Sequence, residues 1–589
     1  MRPTLPHPLP SKPWKRLAAF LFGLPLLLGT AVPWRAAAAP AAAPVDWRFG
    51  VIESYDAPAD AAALGVSWTR VQFHWAEVQA GGTGSWTPSV TDAQINAELN
   101  AGRMVVGLLI GIPGWAMEGN GLPRGLWLPH NDPGNAWANY VREAVSRYQG
   151  RINHWIIWNE PNIPATSGAH TWDGSVDDFF QLQRTAYLAA KEVNPAAVIH
   201  LAAFNFWDDA NAGREQYMGL LLDRILADPA AAEHNYYFDV ATAQLYFQPA
   251  QIYDIIQFFL GLMRQRGMSQ PIWLMETNLP PYDDPAWPAP HLFLKATQEE
   301  QAAFMPQVLA SALAAGAQRI AIYKLKDIPN DLVAADAEPF GLVRLDGSRR
   351  PAFYSYQVAL RQMAGVIGVR RERWDEVGQI RLAQQGRTTT VLFARLPAPQ
   401  VAWVPATADS AVLVDMWGNQ QTIAAKDGGY AVSLPGALCT QPVGNYCMVG
   451  GPAYYLVQGT GGENGAEATA ATATPTPTST PSATPTATPT MTPTATGTPT
   501  AIATQTPSPT HTPTPTSTRT PRPTATDTAT PLPPTAVIPP TLPPVQSPPP
   551  ADQPPNTALS YWFIGAGVLL ALGLGGWVVR NGRGSRNLD

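Results

Sequence analysis

Two glutamates in this chain stand directly behind apolar stretches. Glu160 follows Ile156, Ile157, Trp158 and Asn159 and precedes Pro161 and Asn162; Glu276 follows Trp273, Leu274 and Met275 and precedes Thr277 and Asn278. A carboxyl at the end of a run destined for the interior costs free energy unless a site uses it. Two carboxyls that share a site separate in proton affinity, because one anion raises the pKa of the other. One can then give up a proton while the other attacks or stabilises charge.

The surroundings of these residues predict the elements that carry them. Short apolar runs at 49–52, 68–73, 104–110, 152–158, 198–203, 240–246, 272–275 and 320–323 read as strands. Helical patterns lie between them, at 92–101, 136–148, 176–193, 252–266, 299–315 and 351–363. Strand and helix in alternation imply a parallel sheet, and eight units across residues 45–365 fit a (β/α)8 TIM barrel. A doubly wound open sheet is the alternative, but no Gly-rich phosphate loop follows the first strand. In a barrel, reactive groups come from the C-terminal ends of strands. The two glutamates fall at the ends of the fourth and the seventh.

Trp158-Asn159-Glu160-Pro161 after a fourth strand, with Glu276 after a seventh 116 residues later, resembles the retaining glycoside hydrolases of clan A, of the family 5 and family 39 kind. The resemblance implies that Glu160 is the acid/base, Glu276 the nucleophile, and Asn159 a partner of the sugar 2-hydroxyl. Glu160 would protonate the leaving oxygen while Glu276 forms a glycosyl ester; water activated by Glu160 would then release the sugar with retention. That course needs the carboxyls about 5–5.5 Å apart. Arg70, within the second strand, resembles the clan's arginine beside the nucleophile, and Tyr246 ends the sixth strand where an aromatic or His stands close to it. Gln244 departs from the His of relatives, and Tyr323-Lys324 stands where strand eight usually brings a Trp. Both departures touch the sugar subsite. Trp75, Trp115, Trp127, Trp172, Trp207, Phe247, Tyr282 and Trp287 fall in expected loops above the barrel, where aromatic faces can stack on sugar rings. Trp75 and Tyr323 are the candidate sugar contacts among the aromatics. Asp283 and Asp284 read as a solvated turn that could also meet hydroxyls.

Residues 366–458 change to short alternating strands, such as 379–382, 389–394, 411–415, 430–434 and 453–457, predicting a small antiparallel β-sandwich. Its expected role is to stabilise the barrel. Cys439 and Cys447 are the only two cysteines and could close a small disulfide loop in an oxidising compartment. They offer too few ligands for a metal, and no cofactor is expected.

The ends of the chain give an address. Lys12, Lys15 and Arg16 precede an apolar run from 17 to 32 and an Ala-rich stretch, as in a signal peptide ending within 1–43. Residues 459–557 are a Thr/Pro-rich linker, expected to be a disordered stalk of polyproline character. Residues 558–579 carry no charge and suffice for one transmembrane helix. Arg580, Arg583 and Arg586 follow, so the tail at 580–589 is expected in the cytoplasm and the globular part outside, tethered to the cell membrane. The net charge of −6 has no basic stripe, which argues against nucleic acid. An oligo- or polysaccharide is the expected partner. The rival readings are a non-catalytic carbohydrate-binding protein on a degenerate barrel, and a structural surface protein without a sugar ligand. Nothing in the sequence bears on oligomeric state.

Overall fold

Eight short runs, several rich in β-branched and aromatic residues, pair in parallel and close on themselves. They are β1 (Phe49–Val51), β2 (Trp68–His74), β3 (Met104–Ile110), β4 (His154–Ile157), β5 (Val198–Asn205), β6 (Val240–Gln244), β7 (Ile272–Glu276) and β8 (Arg319–Ile322), with β8 returning to β1. The structure, a computed structural model, describes residues 46–459 apart from 168, 287–293 and 333–338. The expected leader at 1–43, the linker beyond Gly459, the apolar segment 558–579 and the tail 580–589 lie outside the described residues. Among the described residues no helix is long and apolar enough to cross a membrane.

Between the strands run α1 (Pro58–Leu64), α2 (Trp75–Val78), α3 (Asp92–Asn100), α4 (Ala136–Arg147), α5 (Val176–Val193), α6 (Phe206–Asn211), α7 (Tyr217–Ala227), α8 (Pro249–Gln265), α9 (Gln298–Ala315) and α10 (Pro351–Met363). Their starts are written in the sequence. Thr91 with Gln94, Ser175 with Asp178 and Thr297 with Glu300 form capping boxes, each satisfying two backbone donors that a helix start leaves open. Proline opens α1, α8 and α10, where its missing N–H costs nothing.

The floor of the barrel is aromatic. Trp68 packs 5.5 Å from Trp273, and Trp273 in turn meets His154 at 5.1 Å and His200 at 4.6 Å between ring centres. The Trp68 ring lies over Gly50 of the neighbouring β1, where a Cβ would come within 2.4 Å of it. A side chain there would have to displace the floor.

One register shift decides the chemistry. Strand side chains alternate faces, so Trp273 and Glu276, three positions apart, should point opposite ways. The pairing of β6 with β7 passes from Ala243–Leu274 to Gln244–Glu276, so Met275 is an extra residue on β7. That bulge turns Glu276 to the same inner side as Trp273.

After α10 come β9 (Val366–Trp374), β10 (Val377–Gln384), β11 (Arg387–Ala394), β12 (Gln400–Pro405), β13 (Ser410–Asp415), β14 (Gln420–Ala424), β15 (Gly429–Leu434), β16 (Pro442–Val443), β17 (Tyr446–Cys447) and β18 (Tyr454–Gly459). Six form an antiparallel sheet in the order β14-β13-β18-β11-β10-β9, and β12 pairs with β15 as a ribbon. Ala402, Val404, Tyr430, Val432 and Leu434 of the ribbon share a small core with Val377, Leu392, Leu413 and Leu456 of the sheet. The expected sandwich is therefore lopsided, six strands against two. Ile380, Leu382, Val391, Phe393 and Tyr455 belong instead to the core of the barrel, so one hydrophobic core serves both parts. β9 and β14 escaped the sequence reading because both are sheet edges, largely exposed and without clean alternation.

Polar ties reinforce that junction. Gln307 of α9 donates to Gly451 O and accepts from Gly450 N, each at 3.0 Å. Cys439 and Cys447 are disulfide-bonded, and the loop they close reaches α9 through Thr440 N, which donates to Glu300 Oε1 at 2.9 Å. Beneath the loop after β8, Arg350 is fully buried between Asp284 and Asp327, 2.7 Å from each, while Arg344 holds Asp284 at 2.7 Å. Asp284 is thus a buried anchor, and the solvated turn expected there is corrected. Asp283 accepts from Gln298 N at the start of α9.

Removing one partner of a buried ion cluster leaves a charge without compensation, at a cost of ~3–5 kcal/mol. Arg350→Met is expected to lower the thermal midpoint steeply, and adding Asp327→Asn should restore much of the loss. Equal midpoints for wild type and Arg350→Met in a melting experiment would contradict this account.

Candidate active site

Glu276 is 1% exposed, and each of its oxygens has its own partner. Arg70 Nη1 donates to Oε1, and the Tyr246 hydroxyl donates to Oε2. Arg70 reaches it from β2, where residues 70, 72 and 74 share the inner face. Tyr246 comes from the loop just past β6. Burial, followed by the charge of Glu276, pushes the Tyr246 phenol well above its ordinary pKa, so it stays a donor. An anion with one charged and one neutral donor is compensated in a low-dielectric pocket.

Glu160 is equally buried but has no such support. Its Oε2 is closed from solvent without a hydrogen-bond partner. Burial, then the charge of Glu276, then that of Asp208 push its carboxyl well above the ordinary range, against the lowering effect of Arg70. The two carboxyls are therefore electrostatically linked and differ in environment, one with a donor on each oxygen and the other driven to keep its proton.

The backbone beneath Glu160 is tightly specified. Trp158 and Glu160 both have positive φ, 72° and 43°. Non-glycine residues avoid that region at a cost of roughly 1–2 kcal/mol each, so surrounding contacts must hold them there. Trp158 packs edge-on to Trp172 at 5.2 Å and Trp137 at 6.1 Å, and its indole N–H donates to Thr171. Thr171 donates to Asn159 O, and Glu160 N donates to Ala203 O of β5 at 2.9 Å. Asn162 donates to Asn205 O at 2.6 Å and to Asp209 at 3.1 Å, tying the loop to the end of β5.

Gln244 has a position of its own in this network. Its Nε2 donates to Asn159 Oδ1 at 2.7 Å, which fixes the Asn159 amide with Nδ2 as its remaining donor. The departure from His noted in the sequence thus supplies a side chain that orients Asn159. At strand eight, Tyr323 is half-buried and forms an aromatic wall with Tyr246 at 6.2 Å and Phe340 at 5.7 Å. Asn278 supports it by donating to the carbonyls of Tyr323 and Phe340, each at 2.7 Å. The peptide from Tyr323 to Lys324 is cis, and Lys324 is buried against Asp331 at 2.7 Å and Glu53 at 3.4 Å. Phe340 carried no sequence signal; it is brought beside Tyr323 by Leu342 N, which donates to Lys324 O, and Val343 N, which donates to Leu325 O.

Trp75 is a correction. It is fully buried, stacked on Tyr140 of α4 at 4.9 Å, with its indole N–H on Gln79. Alternation along β2 sends 71, 73 and 75 outward to the helices, opposite to Arg70, and that parity was legible beforehand. The other aromatics mostly pack: Trp172 and Phe247 are buried, Trp115 lies edge-on to Trp75, and Trp127 is 59% exposed. Trp287 lies outside the described residues. Among the described residues no group of His, Cys, Asp and Glu is arranged to hold a metal ion.

A family 39 glycoside hydrolase from the gut symbiont Bacteroides cellulosilyticus WH2 is similar to this chain, with a TM-score of 0.52 and 15% identity over 70% of this chain and 81% of that one. The likeness is one of fold. The resemblance expected from Trp-Asn-Glu-Pro is met at that level. Weaker likenesses link it to a glucosidase from Croceicoccus marinus (TM-score 0.46, 11% identity, 71% of this chain and 97% of that one) and to a GH30 endoxylanase from Clostridium papyrosolvens C71 (0.45, 13%, 71% and 97%). With TM-scores below 0.5, these two add no argument. No family model and no curated protein matches the chain.

The raised pKa of Glu160 makes stability depend on pH. The folded state binds this proton more tightly than the unfolded chain, whose glutamate titrates near 4.5. The group's favourable contribution is complete below that value and is lost as pH rises towards the folded pKa. Glu160→Gln cannot ionise, so its melting temperature should match wild type near pH 4 and exceed it increasingly towards neutrality. A gap that stays constant from pH 4 to 8 would refute the assignment.

Proposed function

We propose that this chain is a retaining glycoside hydrolase that acts outside the cell while tethered to its membrane, with Glu276 as nucleophile and Glu160 as acid/base. The observation that carries the reading is the contrast between the two carboxyls. Arg70 and Tyr246 fix both oxygens of Glu276, and Glu160 sits buried with an unpartnered oxygen and a strong preference for its proton.

The chemistry follows from that contrast. As the glycosidic bond breaks, Glu160 passes its proton to the leaving oxygen, and Glu276 bonds to the anomeric carbon. Forming the ester removes the Glu276 anion and with it one cause of the raised Glu160 pKa. Glu160, now ionised, takes a proton from water as the water attacks the same carbon. Glu276 leaves as a carboxylate with Arg70 and Tyr246 ready to receive it, and Glu160 regains its proton. Asn159, oriented by Gln244, offers Nδ2 to the sugar 2-hydroxyl. The expected substrate is a β-linked oligo- or polysaccharide. The basic and apolar N-terminal stretch, the Thr/Pro-rich segment and the apolar run at 558–579 with its trailing arginines support the outward, tethered address.

Incubation with activated 2-fluoro glycosides is expected to stop the enzyme with one label, mapped to Glu276. Label on any other residue, or none while substrate is turned over, would remove the double-displacement course. Glu160→Ala should cost about 10²–10⁴ in kcat/KM on unactivated glycans and far less on aryl glycosides, whose leaving groups need no proton. Because Glu160 works as an acid first, wild-type activity should fall on the alkaline side as it deprotonates. Glycan binding without any turnover would favour the degenerate-barrel reading.

A further inference from the structure

Asp208 is a third carboxyl at this site without a part in the chemistry above. It lies in the first turn of α6, which begins where β5 ends, and β5 is the strand to which the Glu160 backbone is pinned. Its neighbours in that turn are fully engaged. Asn205 Oδ1 accepts from the amides of Trp207 and Asp208. Asp209 accepts from Arg214, Asn162 and Tyr217 N. The Asp208 carboxyl has no hydrogen bond or ion pair among the described residues, and its Oδ2 is closed from solvent.

A buried acceptor without a partner is costly, and one carboxyl alone would prove little. The second observation is Glu160, 1% exposed, whose Oε2 is also closed off and unpartnered on the same side of the barrel. Two carboxyl oxygens, one beyond the end of β4 and one beyond the end of β5, lack a protein donor among the described residues. Chemistry says what occupies that side. The acid/base protonates the departing oxygen, so the group beyond Glu160 is the leaving group. A carboxylate there selects a leaving group with hydroxyl donors.

We propose that Asp208 builds the leaving-group subsite by accepting a hydroxyl hydrogen bond from a departing sugar, so that the substrate is a glycan cleaved between two sugar units. This rests on the reading of Glu160 as the acid. Asp208 also acts on Glu160 as a positioning charge. The groups bearing on Glu160 are Glu276 from β7, Asp208 from α6 and, in the opposite sense, Arg70 from β2; the Tyr246 hydroxyl past β6 is itself affected by Glu160. Asp208 is raised to about 6 by burial and then by Asp209, against Arg214. Above that pH its anion helps Glu160 retain its proton.

The test compares wild type, Asp208→Asn and Asp208→Ala, in the full chain, on two substrate types. One is a panel of β-linked xylo-, gluco- and manno-oligosaccharides; the other is the matching 4-nitrophenyl glycosides, whose leaving group has no hydroxyl. Both variants should lose about ten- to a hundredfold in kcat/KM on oligosaccharides, as for one hydrogen bond to a charged acceptor. On nitrophenyl glycosides at pH 5 the loss should be clearly smaller than on the matching oligosaccharides, and melting midpoints close to wild type show that both variants fold. For Asp208→Asn the alkaline limb with oligosaccharides should move to lower pH, because the charge that raised the Glu160 pKa is gone. Equal losses on both substrate types, or no loss on either, overturn the subsite. Calorimetry of the same oligosaccharides with Glu276→Gln, with and without Asp208→Asn, separates the two claims. Binding weakened tenfold or more by Asp208→Asn, in a protein whose wild type turns over nothing, upholds the subsite and removes the hydrolase. Turnover by wild type that Asp208→Asn leaves unchanged does the reverse, and neither binding nor turnover removes both.

Discussion

A carboxylate held inside a barrel, away from water, is the constraint around which this molecule is organised. An uncompensated carboxylate at the depth of Glu276 would carry a large desolvation penalty. Arg70 and Tyr246 offset this by occupying one oxygen each. Both donors are themselves buried, so they in turn need a packed frame. The aromatic floor of Trp68 and Trp273 supplies it from below, and Tyr323 with Phe340 from the side of strand eight.

Burial drives Glu160 to keep its proton, because among the described residues nothing offers a donor to its second oxygen. One barrel end thus produces two carboxyls of unlike character, which is what the proposed division into acid and nucleophile requires. The difference comes from hydrogen-bond supply, since both residues are 1% exposed. The backbone conformations at Trp158 and Glu160 belong to this arrangement. Four contacts, from Trp137, Trp172, Thr171 and Ala203, hold a turn that two non-glycine residues would otherwise avoid.

The second domain contributes to the frame. It shares its inner face with the barrel core, and Gln307 of α9 is bonded to its backbone. The small disulfide loop rests on the capping glutamate of that same helix. A sheet whose face is core to its neighbour cannot swing freely, which fits a role in holding α9 and α10 against the strands.

Much of this was legible beforehand. Alternating apolar runs and amphipathic helical patterns specified eight strand–helix units, because hydrophobic period is a local property. The glutamates were legible because a charge at the end of an apolar strand stands out, and Arg70 and Tyr246 were singled out by resemblance to the clan A pattern. Edge strands β9 and β14 were not legible, since exposure on both faces erases alternation. What tertiary structure alone decided was direction and partnership. The extra residue at Met275 turns Glu276 inward, and a bulge exists only relative to the strand it is paired with. Gln244 finds Asn159, Phe340 finds Tyr323, and Arg350 finds Asp284 and Asp327 across separations that no local pattern encodes. Sequence states which groups are present and which face of an element they favour; only the closed barrel, by fixing distances between residues far apart in the chain, determines which of them meet.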